Sequence, residues 1–304
     1  MSWEKKGVIW APDKSKLWAQ SHATCPTPIA ISGDTTRIYL QSRDVKNVGR
    51  VGYIDVLSEN PAKVVSISSI PVLDVGAPGT FDDSGVFQCS IVQPEDGTLF
   101  LYYAGFELLH KVRYRILTGL AISKDGGQSF SRYQSTPILE RSNAESQVRG
   151  GPSVIYHDNK FKMWYVAGSK WDVIDDKNVP VYSVKYLESK DGIIWRDEGD
   201  VIFDPRSDEH GFGRPSVYLN SLGGYEMLYS VRKRGLGYRM GYGKSDDGIN
   251  WERNDQYLNI DVSNVGPDSE TIEFGAYMPG EKKDILLYNG NDFGGTGLLW
   301  ASKT

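Results

Sequence analysis

The chain has 304 residues with a net charge of −5, is 12% aromatic and contains 33 glycines. The mild charge gives no polyanion-binding surface or basic tail, and no run reaches the apolar length of a membrane span, so neither nucleic acid nor a membrane is an expected partner. Abundant aromatics and glycines without a long helix-period apolar run point to an all-β chain with many turns.

Met1-Ser2-Trp3-Glu4-Lys5-Lys6 leads into no apolar stretch, so no leader peptide is expected and the cytoplasm is the expected compartment. Trp3-Glu4 reads like Trp251-Glu252, and Gly7-Val8-Ile9-Trp10 like Asp200-Val201-Ile202-Phe203. The chain stops at Ala301-Ser302-Lys303-Thr304, where such a segment would begin its turn. A repeat cut at its turn and shared between the ends predicts a ring closed by its own termini.

Three segments carry the turn itself: Ser123-Lys124-Asp125-Gly126-Gly127-Gln128-Ser129-Phe130, Ser189-Lys190-Asp191-Gly192-Ile193-Ile194-Trp195 and Ser245-Asp246-Asp247-Gly248-Ile249-Asn250-Trp251. Their terminal aromatics stand about 60 residues apart, which with a degenerate turn near Ser58-Glu59-Asn60-Pro61 makes five repeats. Each repeat reads as four short strands, A to D. In chain order, strands A and B are 28–31 and 37–40, then 89–92 and 98–103, 152–156 and 161–166, 215–219 and 225–229, and 274–278 and 284–288. The predicted fold is a single domain over residues 1–304. It is a five-bladed β-propeller whose N-terminal strand, residues 3–10, completes the C-terminal blade and hides the sheet edges.

The Asp-Gly turns carry a structural expectation. Asp caps its own backbone and Gly supplies positive φ, while Phe130, Trp195 and Trp251 pack between blades. Cys25 and Cys89 make no disulfide framework and read as buried thiols.

Strand parity locates the site. In an up-and-down blade, the segments leading into the A strands and the loops joining B to C share one rim, and the Asp-Gly turns lie away from it. That rim holds the acids Asp82, Asp83, Glu270 and Glu273 and the arginines Arg43, Arg149, Arg214 and Arg232. It also holds His22, His210, Asn291 and Asp292, with Phe106 and Trp171 placed to stack on a sugar ring. Such convergence predicts a ligand site at the channel mouth. Two scattered histidines do not make a metal site, so no metal or cofactor is expected.

Through Phe81-Asp82-Asp83-Ser84-Gly85-Val86, the Ser-x-Asp-Gly turns, Arg214-Pro215-Ser216-Val217 and Asp268-Ser269-Glu270-Thr271-Ile272-Glu273, the chain resembles the five-bladed propeller glycosidases. These are glycoside hydrolase families 43, 32 and 68, with family 130 more distant. It also looks like propeller proteins of bacterial surface-polysaccharide clusters. The resemblance implies a pair of carboxyl groups across a glycosidic bond. Asp82 or Asp83 would be the base or nucleophile and Glu273 or Glu270 the acid. The substrate-binding residues would be His22, Arg43, Arg149, Trp171, His210, Arg214, Arg232, Asn291 and Asp292. His22 stands where the families carry a first-blade Asp, and Asp44 is the nearest acid.

Guanidinium forks suit carboxylates and phosphates, so the expected ligand is a carbohydrate or sugar nucleotide, preferably anionic. The leading expectation is a sugar-active enzyme. The alternatives are a non-catalytic carbohydrate-binding or assembly protein, for which the absent first-blade Asp speaks, and a protein-interaction propeller.

Overall fold

The computed structural model describes residues 2–95, 97–174 and 176–304. After strand β1 (Trp3–Trp10) comes an antiparallel meander of β2 (Ser21–Ser32), β3 (Thr35–Arg43), β4 (Gly49–Leu57) and β5 (Asn60–Ile67). The second meander is β6 (Val86–Glu95), β7 (Thr98–Leu108), β8 (Tyr114–Ser123) and the two-residue β9 (Ser131–Arg132). The third is β10 (Val148–His157), β11 (Lys160–Ile174), β12 (Lys177–Ser189) and β13 (Asp200–Phe203). A short parallel contact, Val148 with Ile116 and Arg149 with Leu117, joins the second and third into one eight-stranded sheet. The fourth is β14 (Glu209–Leu219), β15 (Tyr225–Lys233), β16 (Tyr238–Ser245) and β17 (Glu252–Arg253). The last runs β18 (Glu273–Met278), β19 (Ile285–Asn289) and β20 (Leu298–Lys303), and its fourth member is β1. Residues 3–10 therefore pair where the truncated repeat placed them, from Trp3 opposite Lys303 to Trp10 opposite Leu298.

The core lies between meanders. Tyr39, Val51, Leu101 and Tyr103 pack the first against the second; Tyr102, Leu120, Phe161 and Met163 pack the second against the third. Val184, Trp164, Phe212 and Tyr229 join the third to the fourth, and Leu228, Tyr242, Leu286 and Leu299 join the fourth to the last. The last returns to the first through Ile38, Leu40, Ala276 and Leu287. Each such buried apolar side chain contributes roughly 1.5–3 kcal/mol by leaving water.

The Asp-Gly turns are structural. Asp125 Oδ1 accepts from the Gln128 and Ser129 amides at 3.0 and 3.1 Å, and Asp191 and Asp247 cap their turns in the same way. Gly126, Gly192 and Gly248 sit at φ of 72, 72 and 79°, where a side chain would be strained. Each turn is also tied to the preceding meander. Tyr39 donates to the Gly127 carbonyl, Tyr102 to that of Gly192 and the Trp164 indole to that of Gly248, each at 2.8 Å.

A second repeated feature had no sequence expectation. In the second meander Tyr103 and Arg132 both bind Asp82, at 2.9 and 2.8 Å. In the third, Tyr165, Arg149 and Lys185 bind Glu145. In the fourth, Tyr229 binds Asp255, and Arg253 bridges Asp255 to Glu209. In the last, Tyr288 binds Asp268, and Lys5 of β1 reaches the same carboxylate at 2.6 Å. A tyrosine with one or two acids and one or two bases thus latches each of these meanders, and in three of the four the base comes from the outermost strand.

Candidate active site

A cavity of about 420 Å³ opens at the end where the B–C loops and the beginnings of the A strands converge. One wall is aromatic. Phe87, Phe106, Tyr114 and Trp171 follow one another with ring centroids 5.5–5.8 Å apart. The lining is also cationic, with Arg43, Arg113, Arg214 and Arg232, and Asp292 is the one carboxylate among its described lining residues.

Arg214 projects from β14 across the interior. Its guanidinium donates to the carbonyl of Cys89 on β6 at 2.9 Å and to that of Pro26 on β2 at 3.0 Å. Its Nε is buried without a hydrogen-bond partner among the described residues. Arg232 lies 4.8 Å from the Tyr238 ring centroid and 5.6 Å from that of Tyr182, and donates to both hydroxyls. Burial opposes its charge, but the surrounding tyrosine oxygens offset this and hold its proton more tightly than in free arginine. Neither arginine forms an ion pair with a described carboxylate, so the cavity keeps an uncompensated positive charge.

Glu273 sits directly behind the lining, at the start of β18 and beside Phe274, and is fully buried. Thr271 Oγ1 donates to its Oε1 over 3.4 Å, whereas Oε2 has no partner among the described residues. Burial pushes its carboxyl up to about 8, against the opposing pull of Arg232, so it holds its proton at neutral pH. His22 lies beside Asp292, with Nε2 3.6 Å from the carboxylate and Nδ1 2.8 Å from the Ser21 hydroxyl. Burial, helped by Arg43, lowers its affinity for a proton, so the ring is neutral at pH 7. The backbone here is strained: His22, Cys25, Phe274, Asp292 and Phe293 all have φ between 52 and 63°. Non-glycine residues in this region persist where surrounding contacts over-determine them, commonly at functional sites.

Of the residues expected at the site, Arg43, Phe106, Trp171, Arg214, Arg232 and Asp292 line the cavity, with Glu273 and His22 adjoining it. The others lie outside the lining. Asp82 is fully buried in the latch with Tyr103 and Arg132, so its carboxylate is committed to holding β9. Asp83 stabilises its own loop, accepting from the Gly79 amide and the Ser84 hydroxyl, each at 2.8 Å. Arg149 is the base of the Glu145 latch. Glu270 is exposed, and Asn291 clamps its backbone by accepting from the amides of Glu270 and Thr271. His210 is half-buried with an unpartnered Nδ1. Arg113, Tyr182 and Tyr238 line the cavity without having been foreseen, though all three lie on the expected rim.

The latch makes a prediction. Asp82→Asn leaves Arg132 facing a neutral amide and should cost roughly 3 kcal/mol of stability in a urea melt. Ligand binding by the folded fraction should be unchanged, and a binding defect at full foldedness would return Asp82 to the site.

The all-β meanders, packed in sequence around a polar mouth, have the propeller-like fold of solved glycoside hydrolases. The glycosyl hydrolases family 32 N-terminal domain profile matches residues 75–201. A solved glycoside hydrolase superposes with a TM-score of 0.77 at 18% identity, covering 99% of this chain and 91% of its own. The Bombyx mori GH32 beta-fructofuranosidase BmSUC1 does so with a TM-score of 0.63 at 15% identity, covering 98% of this chain and 61% of that one. The chain belongs to the family of the Mycobacterium tuberculosis protein known as uncharacterized protein Rv1502 in strain H37Rv and MT1551 in strain CDC 1551. It is 34% identical to that protein over 299 residues, 98% of both chains.

Proposed function

We propose that this chain is a sugar-active protein that takes an anionic glycan or activated sugar into the arginine-lined cavity, and that Glu273 serves there as proton donor. One observation carries the reading. Among the described residues, buried polar atoms without hydrogen-bond partners surround this cavity on Trp171, Arg214 and Glu273, with His22 and His210 beside them, and the rest are on Trp3, Gln88, Arg115 and Arg149. Buried polar groups are normally paired, so a set of orphans around one cavity calls for a polar ligand. The aromatic wall offers a sugar its stacking face, and the arginines offer an acid group its counter-charge. A protonated Glu273 is matched to donating a proton to a departing glycosidic oxygen. Asp292, the carboxylate of the lining, takes the complementary role of stabilising or hydrating the sugar cation.

The same reading takes the chain as one five-bladed domain spanning residues 1–304. It is supported by the cores that lead from each meander to the next and from the last back to the first. Two unpaired buried thiols, Cys25 and Cys89, fit a reducing compartment, and we place the protein in the cytoplasm. A binding protein without turnover is the second reading. It is favoured by the commitment of Asp82 to Arg132, which leaves Asp292 as the second acid at the mouth.

Thermal-shift screening tests the ligand class. Oligogalacturonates, sugar phosphates and nucleotide sugars should raise the melting temperature, and Arg43→Gln should weaken that response about tenfold or more. A response confined to neutral xylo- or fructo-oligosaccharides would sink the anionic assignment.

A further inference from the structure

The loops joining B to C strands do more than border the cavity. Each carries a large apolar side chain in water: Val45 is 81% exposed, Leu108 71%, Val173 63%, Leu236 58% and Phe293 41%. Single exposed apolar residues need no explanation, but one at the matching loop of every meander, all at one end, makes a ring around the mouth. Strands β11 and β12 run to 15 and 13 residues, so Val173 rides on an extended hairpin.

Charge on these loops says what the ring fits. Lys46, Lys111, Arg113 and Lys170 are exposed and form no ion pair among the described residues. The acids beside them are mostly neutralised: Asp44 by Arg50, Glu107 by Arg115 and Asp172 by Arg234, leaving Asp176 and Asp292 among the described residues. The opposite end is different. Exposed Asp34, Glu59, Asp125, Asp158, Asp191, Asp246, Asp247 and Glu281 crowd its turns and outnumber Lys124, Lys160, Lys190, Lys282 and Lys283 among them. A net acidic chain is thus polarised along its axis, which composition alone could not reveal. Apolar tips interleaved with free cations match the interface of a bilayer bearing anionic headgroups.

We propose that this rim docks on an anionic lipid surface, with Val45, Leu108, Val173 and Leu236 entering the headgroup layer and the cavity mouth facing the membrane. The sugar would then be presented on a lipid; that clause rests on the sugar-active reading, whereas the docking itself does not.

Co-sedimentation with vesicles tests the docking without any sugar present. The full chain should sediment with equimolar phosphatidylglycerol and phosphatidylcholine and stay in solution with phosphatidylcholine alone. Each of Lys46→Ala, Lys111→Ala and Lys170→Ala should weaken binding roughly fivefold. The combined Val45→Ser, Leu108→Ser, Val173→Ser and Leu236→Ser variant should stay in solution, while Ile194→Ser with Leu222→Ser, at the opposite end, should bind like the unmodified chain. Equal sedimentation of the four-serine variant, or none by the unmodified chain, overturns the proposal. So does self-association that the serine variant abolishes, which would assign the ring to a second copy of the chain.

Discussion

Glu273→Gln is expected to lower turnover roughly 10²–10⁴-fold while the protein folds and still binds its ligand. Glutamine keeps the shape of the neutral acid and cannot donate its proton. The measurement is the rate on nitrophenyl glycosides and glycuronides beside ligand binding by thermal shift. Unchanged turnover would remove Glu273 as the donor and leave the binding reading standing. A stability measurement gives an independent check. Folded Glu273 titrates at about 8, against an ordinary value of 4.5. Between those limits the folded state keeps a proton that the unfolded state has lost, so this group's contribution to stability falls as pH rises through the window. It is fully present below about 4.5 and gone above about 8. The glutamine variant lacks that slope. It should match the unmodified chain near the acid end and exceed it in alkali, by a few kcal/mol at most. Parallel pH profiles for the two proteins would mean that Glu273 is not a buried neutral acid.

Lys5→Ala should destabilise the whole protein although Lys5 is nowhere near the cavity. Its ammonium is 2.6 Å from Asp268, whose side chain is 5% exposed, and Tyr288 donates to the same oxygen. Removing the cation leaves a buried carboxylate unpaired. Lys5 keeps 26% of its side chain in water, so the loss falls below the 3–5 kcal/mol of a wholly buried pair, at about 2–3 kcal/mol. That corresponds to a fall of roughly 4–8 °C in melting temperature. Removing residues 2–10 should do more, because β20 then loses its partner along six registered pairs. Melts unchanged in both proteins would mean that the seam bears no load.

How far the sequence foretold this molecule depended on whether a feature is local. The Asp-Gly turns announce themselves, since capping acid, glycine and aromatic lie within eight residues, as from Ser123 to Phe130. The seam was readable because β1 resembles β13 and β17, and the rim because strand direction alternates. The latches were not readable. Asp82 and Arg132 are 50 residues apart, and the acid varies between Asp and Glu. An acid-rich segment leading into a strand therefore reads as catalytic, and nothing in it announces that Asp82 is bound by Arg132 of β9. Glu273 could be placed at the mouth from its position beside β18, but its retained proton depends on burial, which no residue pattern specifies. Arg113 escaped because only the start of the loop after β7 could be assigned to the rim, and Arg113 is the last residue before β8.

The pairing of β1 with β20 also has a kinetic meaning. Trp3 must find Lys303, so the first strand of the chain waits until the last has been made. Until then β20 lacks its neighbour, and Trp3 and Trp10 lack the packing they find in the finished fold. Contacts of such sequence separation form slowly and leave a bare sheet edge meanwhile. The step most open to aggregation during synthesis is therefore the final one, when every other meander can already be in place.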